Sequence, residues 1–148
     1  MRWSWTRFDD LGVQPLYDIL ALRCRVFVLE QGAFLDPDGA DAHSWHLQGR
    51  DEAGVLQAYL RAVDPGVKYV EPSIGRVVTS PETRRTGLGR ELMREGLARC
   101  ARQWPGRGIR ISAQARLHDF YAGFGFVAEG DEYPEDGIPH VQMLWRPR

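Results

Sequence analysis

Residues 74–92 read "IGRVVTSPETRRTGLGREL". A run rich in β-branched residues leads through a proline and two glycines into a segment where Leu88, Leu92, Gly96 and Cys100 recur every four residues. The change of period from two to 3.6 predicts a strand that turns directly into a helix. Such a turn leaves several backbone N–H groups with no helical acceptor, and together with the helix dipole they attract anions, phosphates above all. Gly87 and Gly89 allow positive φ and close approach of a ligand to the backbone. Arg84, Arg85 and Arg90 can add charge-assisted contacts. Taken alone, these residues fit a solvated glycine turn equally well. A P-loop is excluded, because the one lysine of the chain is Lys68. A dinucleotide fingerprint is excluded by Leu92 at its third glycine position.

The rest of the chain supplies a partner for that unit. "WSWTRF" alternates large apolar with polar residues, as a strand does. Pro15 opens a helical pattern in which Leu16, Ile19, Leu20 and Phe27 share one face, and the helix is expected to reach about Leu29. "SWHLQGR" and "VLQAYLRAV" flank "DEAG" and predict an antiparallel hairpin. "GIRISA" predicts a strand and "RLHDFYAGF" a short helix. "FVAEG" and "HVQMLWR" predict two closing strands, with "YPEDGIP" as the loop between them. The order β-α-β-β-β-α-β-α-β-β points to an α/β chain with a mixed (α+β) sheet rather than a doubly wound one.

Length and charge narrow the classes further. A chain of 148 residues suits one domain, 1–148, able to bury roughly 68–70% of its unfolded surface without disulfides or metal. The net charge of -1 argues against a general nucleic-acid binder. Cys24 and Cys100 have no CxxC partner and read as free thiols of a cytosolic chain. No segment has signal-peptide character or the ~18 apolar residues of a membrane span, so a cytoplasmic protein without membrane contact is expected.

Two segments then carry a family resemblance. Arg84-x-x-Gly87-x-Gly89 between strand and helix resembles the acetyl-CoA-binding motif of the GCN5-related N-acetyltransferases (GNAT). "DFYAGFGF" (119–126) resembles that family's C-terminal Phe-Tyr-x-x-Phe-Gly-Phe segment, about 30 residues later in the expected order. "LRCRVFVLEQ", "IGRVVTSP", "SAQARLHDFYAGFGF" and "EDGIPHVQM" together are similar to the ElaA family of acetyltransferase-like proteins. The resemblance implies the GNAT acyl-CoA N-acyltransferase fold and acetyl-CoA as co-substrate; no metal is expected. It implies cofactor contacts from Val77, Val78 and Thr79, whose strand would offer N–H groups to the thioester carbonyl. It implies a phosphate turn of Arg84, Arg85, Thr86, Gly87, Leu88 and Gly89.

The chemistry needs a neutral amine, oxyanion donors and an acid for the leaving thiolate. The resemblance assigns the acid to Tyr121, whose phenol has an ordinary pKa of about 10, near that of a thiolate. A core aromatic between Phe120 and Phe124 is the other reading. The base is open. "IGRVVT" has no acid where some family members carry a glutamate. Glu30, His46, Glu135, Asp136 and His140 are candidates, each with a packing or ion-pair alternative, and bulk water is another. Glu30 could pair with Arg23 or Arg76 instead. Asp36, Asp38 and Asp41 form one acidic loop, and Asp131, Glu132, Glu135 and Asp136 another. If both ring one cleft they favour a cationic amine; otherwise they are surface charge.

His43-x-x-His46 on a strand would face opposite sides, which disfavours a metal site. "DPDGAD" lacks the acid of a calcium loop, since Leu47 stands at its twelfth position. An acyl-homoserine-lactone-synthase-like enzyme and a non-catalytic acyl-CoA sensor stay open as alternatives. A homodimer through edge strands is also open, and the acceptor is a small-molecule or peptide amine.

Overall fold

The computed structural model describes residues 1–32 and 34–148. Seven strands form one sheet: β1 (Arg2–Arg7), β2 (Ser44–Arg50), β3 (Leu56–Val63), β4 (Ser73–Thr79), β5 (Ile109–Gln114), β6 (Val127–Glu135) and β7 (Ile138–Trp145). Three helices join them: α1 (Val13–Arg23), α2 (Leu88–Gln103) and α3 (His118–Ala122). The order across the sheet is β1-β2-β3-β4-β5-β7-β6. All neighbours are antiparallel except β4 and β5. Element order and mixed sheet therefore match the pattern read from periodicity.

The helices pack where the pattern of the strands directs them. Alternate residues of a strand face opposite sides. Leu60 and Ala62 of β3 pack with Leu92, Met93 and Cys100 of α2. Tyr59, on the other face of β3, packs with Ile19 and Leu22 of α1. Gly96 lets α2 sit close to the sheet, because a Cβ there would lie 2.7 Å from a Leu60 methyl. A methyl group at that point would force the helix off β3.

Three local features depart from the expected pattern. The helical hydrogen bonding of α1 loosens after Arg23 into a π turn over Cys24–Val28, in which the Leu29 N–H reaches the Cys24 carbonyl at 3.0 Å. "YPEDGIP" is not a loop: β6 runs through Glu135, β7 starts at Ile138, and Asp136 and Gly137 alone make the turn. Both turn residues have positive φ, 51° and 76°, the geometry that matches strand twist in a two-residue hairpin. Pro134 and Pro139 sit opposite each other at its end, where the hairpin loses little by their missing N–H groups.

The third departure is in β4. Tyr59 pairs with Val78 but Arg61 pairs with Gly75, so Arg76 and Val77 together face Leu60. This is a β-bulge, which leaves a residue out of the ladder and bends the strand. Arg76 takes φ 50° to make it. Beyond the bulge β4 parts from β5: the strands are in register only at Ser73 and Arg110. The sheet thus opens along the line between its two halves.

Candidate active site

The opening between β4 and β5 is the floor of a cleft of about 670 Å³, within the size range of small-ligand sites. One wall is β4 from Ser73 to Thr79; the other carries Ser112, Gln114, Tyr121 and His140. The π turn brings Val26, Phe27 and Glu30 to the rim. Glu30 ion-pairs with Arg84, not with Arg23 or Arg76. Gln31 accepts a hydrogen bond from Gln114 at 2.9 Å, so two neighbouring residues bridge the mouth from opposite sides.

Of the residues expected to hold a cofactor, Val77, Val78, Thr79 and Arg84 line the cleft. Arg85, Thr86, Gly87, Leu88 and Gly89 form the turn into α2 and its first residues. The first helical bond recorded there runs from the Glu91 N–H to the Gly87 carbonyl at 3.2 Å. The N–H groups of Leu88, Gly89 and Arg90 precede any helical acceptor. Gly87 has φ 85°, with nothing within 4 Å of where a Cβ would be. The space above these amides is open, as close approach of an anion requires.

Tyr121 lines the cleft with its ring fixed edge-on against Phe120 and Phe126. Burial pushes its phenol up to about 12, with the nearby Arg116 charge pulling the other way. It is therefore fully protonated near neutral pH and can give a proton but not take one. Farther along the same wall lie Glu135 and His140. The His140 Nδ1–H donates to the Ile138 carbonyl at 2.7 Å. Its Nε2 is 3.3 Å from Glu135. Ser112 donates to the other oxygen of Glu135 at 3.3 Å.

His46 lies elsewhere. It is 1% exposed and is absent from the cleft wall. Its Nε2–H donates to the Asp41 carbonyl at 2.9 Å, and its Nδ1 accepts from the Tyr59 hydroxyl at 2.6 Å. Burial lowers its pKa, so the ring stays neutral with both nitrogens in use. As a candidate base it is corrected by this geometry: no lone pair faces the cleft.

The loop acids Asp36, Asp38 and Asp41 are also not offered to a substrate. Arg23 binds Asp36 at 2.8 Å and Asp41 at 2.7 Å. Arg61 binds Asp38 at 2.5 Å and Asp41 at 3.1 Å. Arg76 binds Asp36 at 2.9 Å, and Lys68 binds Asp38 at 2.9 Å. The loop is a strap that ties α1 to β3 and to the bulge of β4, and of the two acidic clusters only Glu135 and Asp136 reach the cleft wall. Buried charges persist only when paired in this way. The partner of Arg76 was missed because Asp36 is 40 residues away, with no local pattern to link them. Among the described residues no group of three metal-ligating side chains occurs, and no helix is long and apolar enough to cross a membrane. Both cysteines are free.

The split sheet, with its bulged central strand leading into a glycine turn and helix, is the arrangement expected from the resemblance to acyltransferases. Comparison bears this out: the acetyltransferase (GNAT) domain model matches residues 52–147. The chain belongs to the GNAT acetyltransferase family, a class of N-acetyltransferases, and within it to the ElaA group. Escherichia coli ElaA is 38% identical over 97% of this chain and 95% of its own. The crystal structure of that protein superposes with a TM-score of 0.91, covering 98% of this chain and 99% of the other. A UPF0039 protein of Synechocystis is 46% identical over 99% of this chain and 96% of its own. An acyl-CoA N-acyltransferase of Pseudomonas aeruginosa shares the fold with a TM-score of 0.92 at 39% identity, covering 97% of this chain and 98% of the other.

Proposed function

We propose that this chain acts as a single acetyl-CoA-dependent domain that acetylates a primary amine by direct attack within the cleft. The observation that carries the reading is the parting of β4 from β5 immediately before a glycine turn with unpaired helix amides. Acetyl-CoA supplies the acetyl group as a thioester. The amides of Gly87, Leu88 and Gly89, with Arg84 and Arg85, hold the diphosphate. The backbone N–H groups of the bulged segment at Val77 and Val78 stabilise the oxyanion, an effect worth several kcal/mol in such sites. Tyr121 gives its proton to the departing thiolate. The amine nitrogen bonds to the acyl carbon as the carbon–sulfur bond breaks, and the amine must lose a proton.

A cationic acceptor is favoured by Glu135 and Asp136 on the cleft wall. Calorimetric titration with acetyl-CoA tests the reading, with desulfo-CoA and NAD as controls. Micromolar binding of acetyl-CoA, with thiol release on adding an amine, is the expected result. No binding would overturn it.

A further inference from the structure

We propose that His140 and Glu135 form the station where the acceptor's ammonium group is bound and relieved of its proton. The proposal rests on the acetyl-transfer reading above and adds the step that reading leaves open. An alkylamine with a pKa near that of lysine, about 10.4, is neutral in roughly one part in 10³ at pH 7. A base in the cleft is therefore worth about 10²–10⁴ in rate.

The tautomer of His140 follows from its partner. A carbonyl oxygen can only accept, so the 2.7 Å contact with Ile138 places a proton on Nδ1. In the neutral ring Nε2 then carries a lone pair. That lone pair is 3.3 Å from a Glu135 oxygen, which is also an acceptor. Two acceptors face each other, and the pair is complete only when a proton or an N–H-bearing cation joins it. An ammonium group satisfies both at once, and both residues line the cleft.

The neighbours keep the pair in place. Tyr133 lies against the His140 ring, with centroids 6.3 Å apart and planes 29° from parallel. Its hydroxyl bonds to Ser112, which donates in turn to Glu135. Of the other named candidates, Glu30 is engaged by Arg84 and His46 by Tyr59 and Asp41, while Asp136 lines the cleft in the turn beside Glu135.

The proton count closes. The ammonium gives one proton to Nε2 and keeps the electron pair of that N–H bond as its lone pair. His140 becomes an imidazolium paired with Glu135. Glu135, whose side chain is 47% exposed, lets the proton leave to water. The freed amine is then the nucleophile for the thioester.

The test is imidazole NMR of the full chain, with nitrogen-labelled histidine and bound coenzyme A, titrated with methylammonium chloride. Neutral His140 is expected as the Nδ1–H tautomer. Methylammonium is expected to shift its Nε2 signal, while tetramethylammonium, which has no N–H to give, is not. Glu135→Gln should weaken the methylammonium response by about tenfold or more, the loss expected for a hydrogen bond to a charged group. An Nε2–H tautomer, a silent Nε2, or equal responses to both cations would overturn the proposal. Coenzyme A binding is read in the same sample by calorimetry. Its absence would instead count against the acetyl-transfer reading.

Discussion

Arg23 and Asp36 lie on one side of the cleft, His140 and Glu135 on the other, and the two pairs differ in how fully they are closed. Arg23 and Asp36 are both almost completely buried, and each has a second partner of opposite charge, Asp41 and Arg76. His140 and Glu135 meet at 3.3 Å, and half of Glu135 is in solvent. Charge that leaves water must be neutralised on every side, which makes it a brace and removes it from chemistry. A pair left one hydrogen short at the edge of solvent keeps its shape and can still exchange a proton. The strap therefore holds the bulge, and the opposite wall is where the proposed proton transfer falls.

Breaking the brace should have the largest effect. Arg23→Met leaves Asp36 and Asp41 short of a partner and should cost about 3–5 kcal/mol, on the order of 10 °C in Tm. Glu135→Gln should move Tm by no more than about 2 °C. Thermal denaturation of the two variants compares the walls directly, and equal losses would erase the distinction. Next is the anion site. Gly87→Glu forces a side chain into φ 85° and sets a carboxylate where phosphate would sit, so acetyl-CoA binding should vanish in calorimetry while the fold survives. Tyr121→Phe should be narrower still: acetyl-CoA affinity is kept and turnover falls about 10²-fold or more. Unchanged turnover would make the tyrosine a packing residue.

The smallest effect is a gradual pH dependence to which the brace contributes. Burial alone would raise the pKa values of Asp38 and Asp41, but the arginine hydrogen bonds outweigh it and hold both carboxyls below the usual range. Their folded pKa values are depressed, so the stability they contribute is present above the unfolded value of about 3.9 and is lost as pH falls through the folded ones. His46 is also depressed, by burial first. The unfolded chain takes up its proton below about 6.5 while the folded one does not, so stability begins to fall there. Tm should decline gently from pH 6.5 to 4 and more steeply below. His46→Gln should flatten the first part alone.

Element order was legible because local periods carry it: Leu88, Leu92, Gly96 and Cys100 mark a buried helix face, and all four are buried. The closing hairpin was misread because Pro134, Asp136, Gly137 and Pro139 have the composition of a loop. Two of them form a tight turn, and the prolines pair across its end. The bulge was hidden because its positive φ falls on an arginine, not a glycine. The glycine turn into α2 and the place of Tyr121 beside the cleft were legible as positions, since each lies within one contiguous motif. The closure of His46 was not. It depends on Tyr59 and Asp41, which the fold gathers from separate segments, and a long-range ion network leaves no periodic trace.

The two-residue turn at Asp136 and Gly137 has a consequence for how this wall can vary. Tyr133, Glu135, Ile138 and His140 share one face of the hairpin, because Tyr133 stands across from His140 and Glu135 across from Ile138. A one-residue slip in a ladder sends every side chain to the opposite face. A one-residue slip of β6 against β7 would point Glu135 outward and leave His140 alone on the cleft. Register is here a chemical constant: by pinning the ladder, the tight turn at Asp136 and Gly137 also pins the two groups of the proposed proton station to one face.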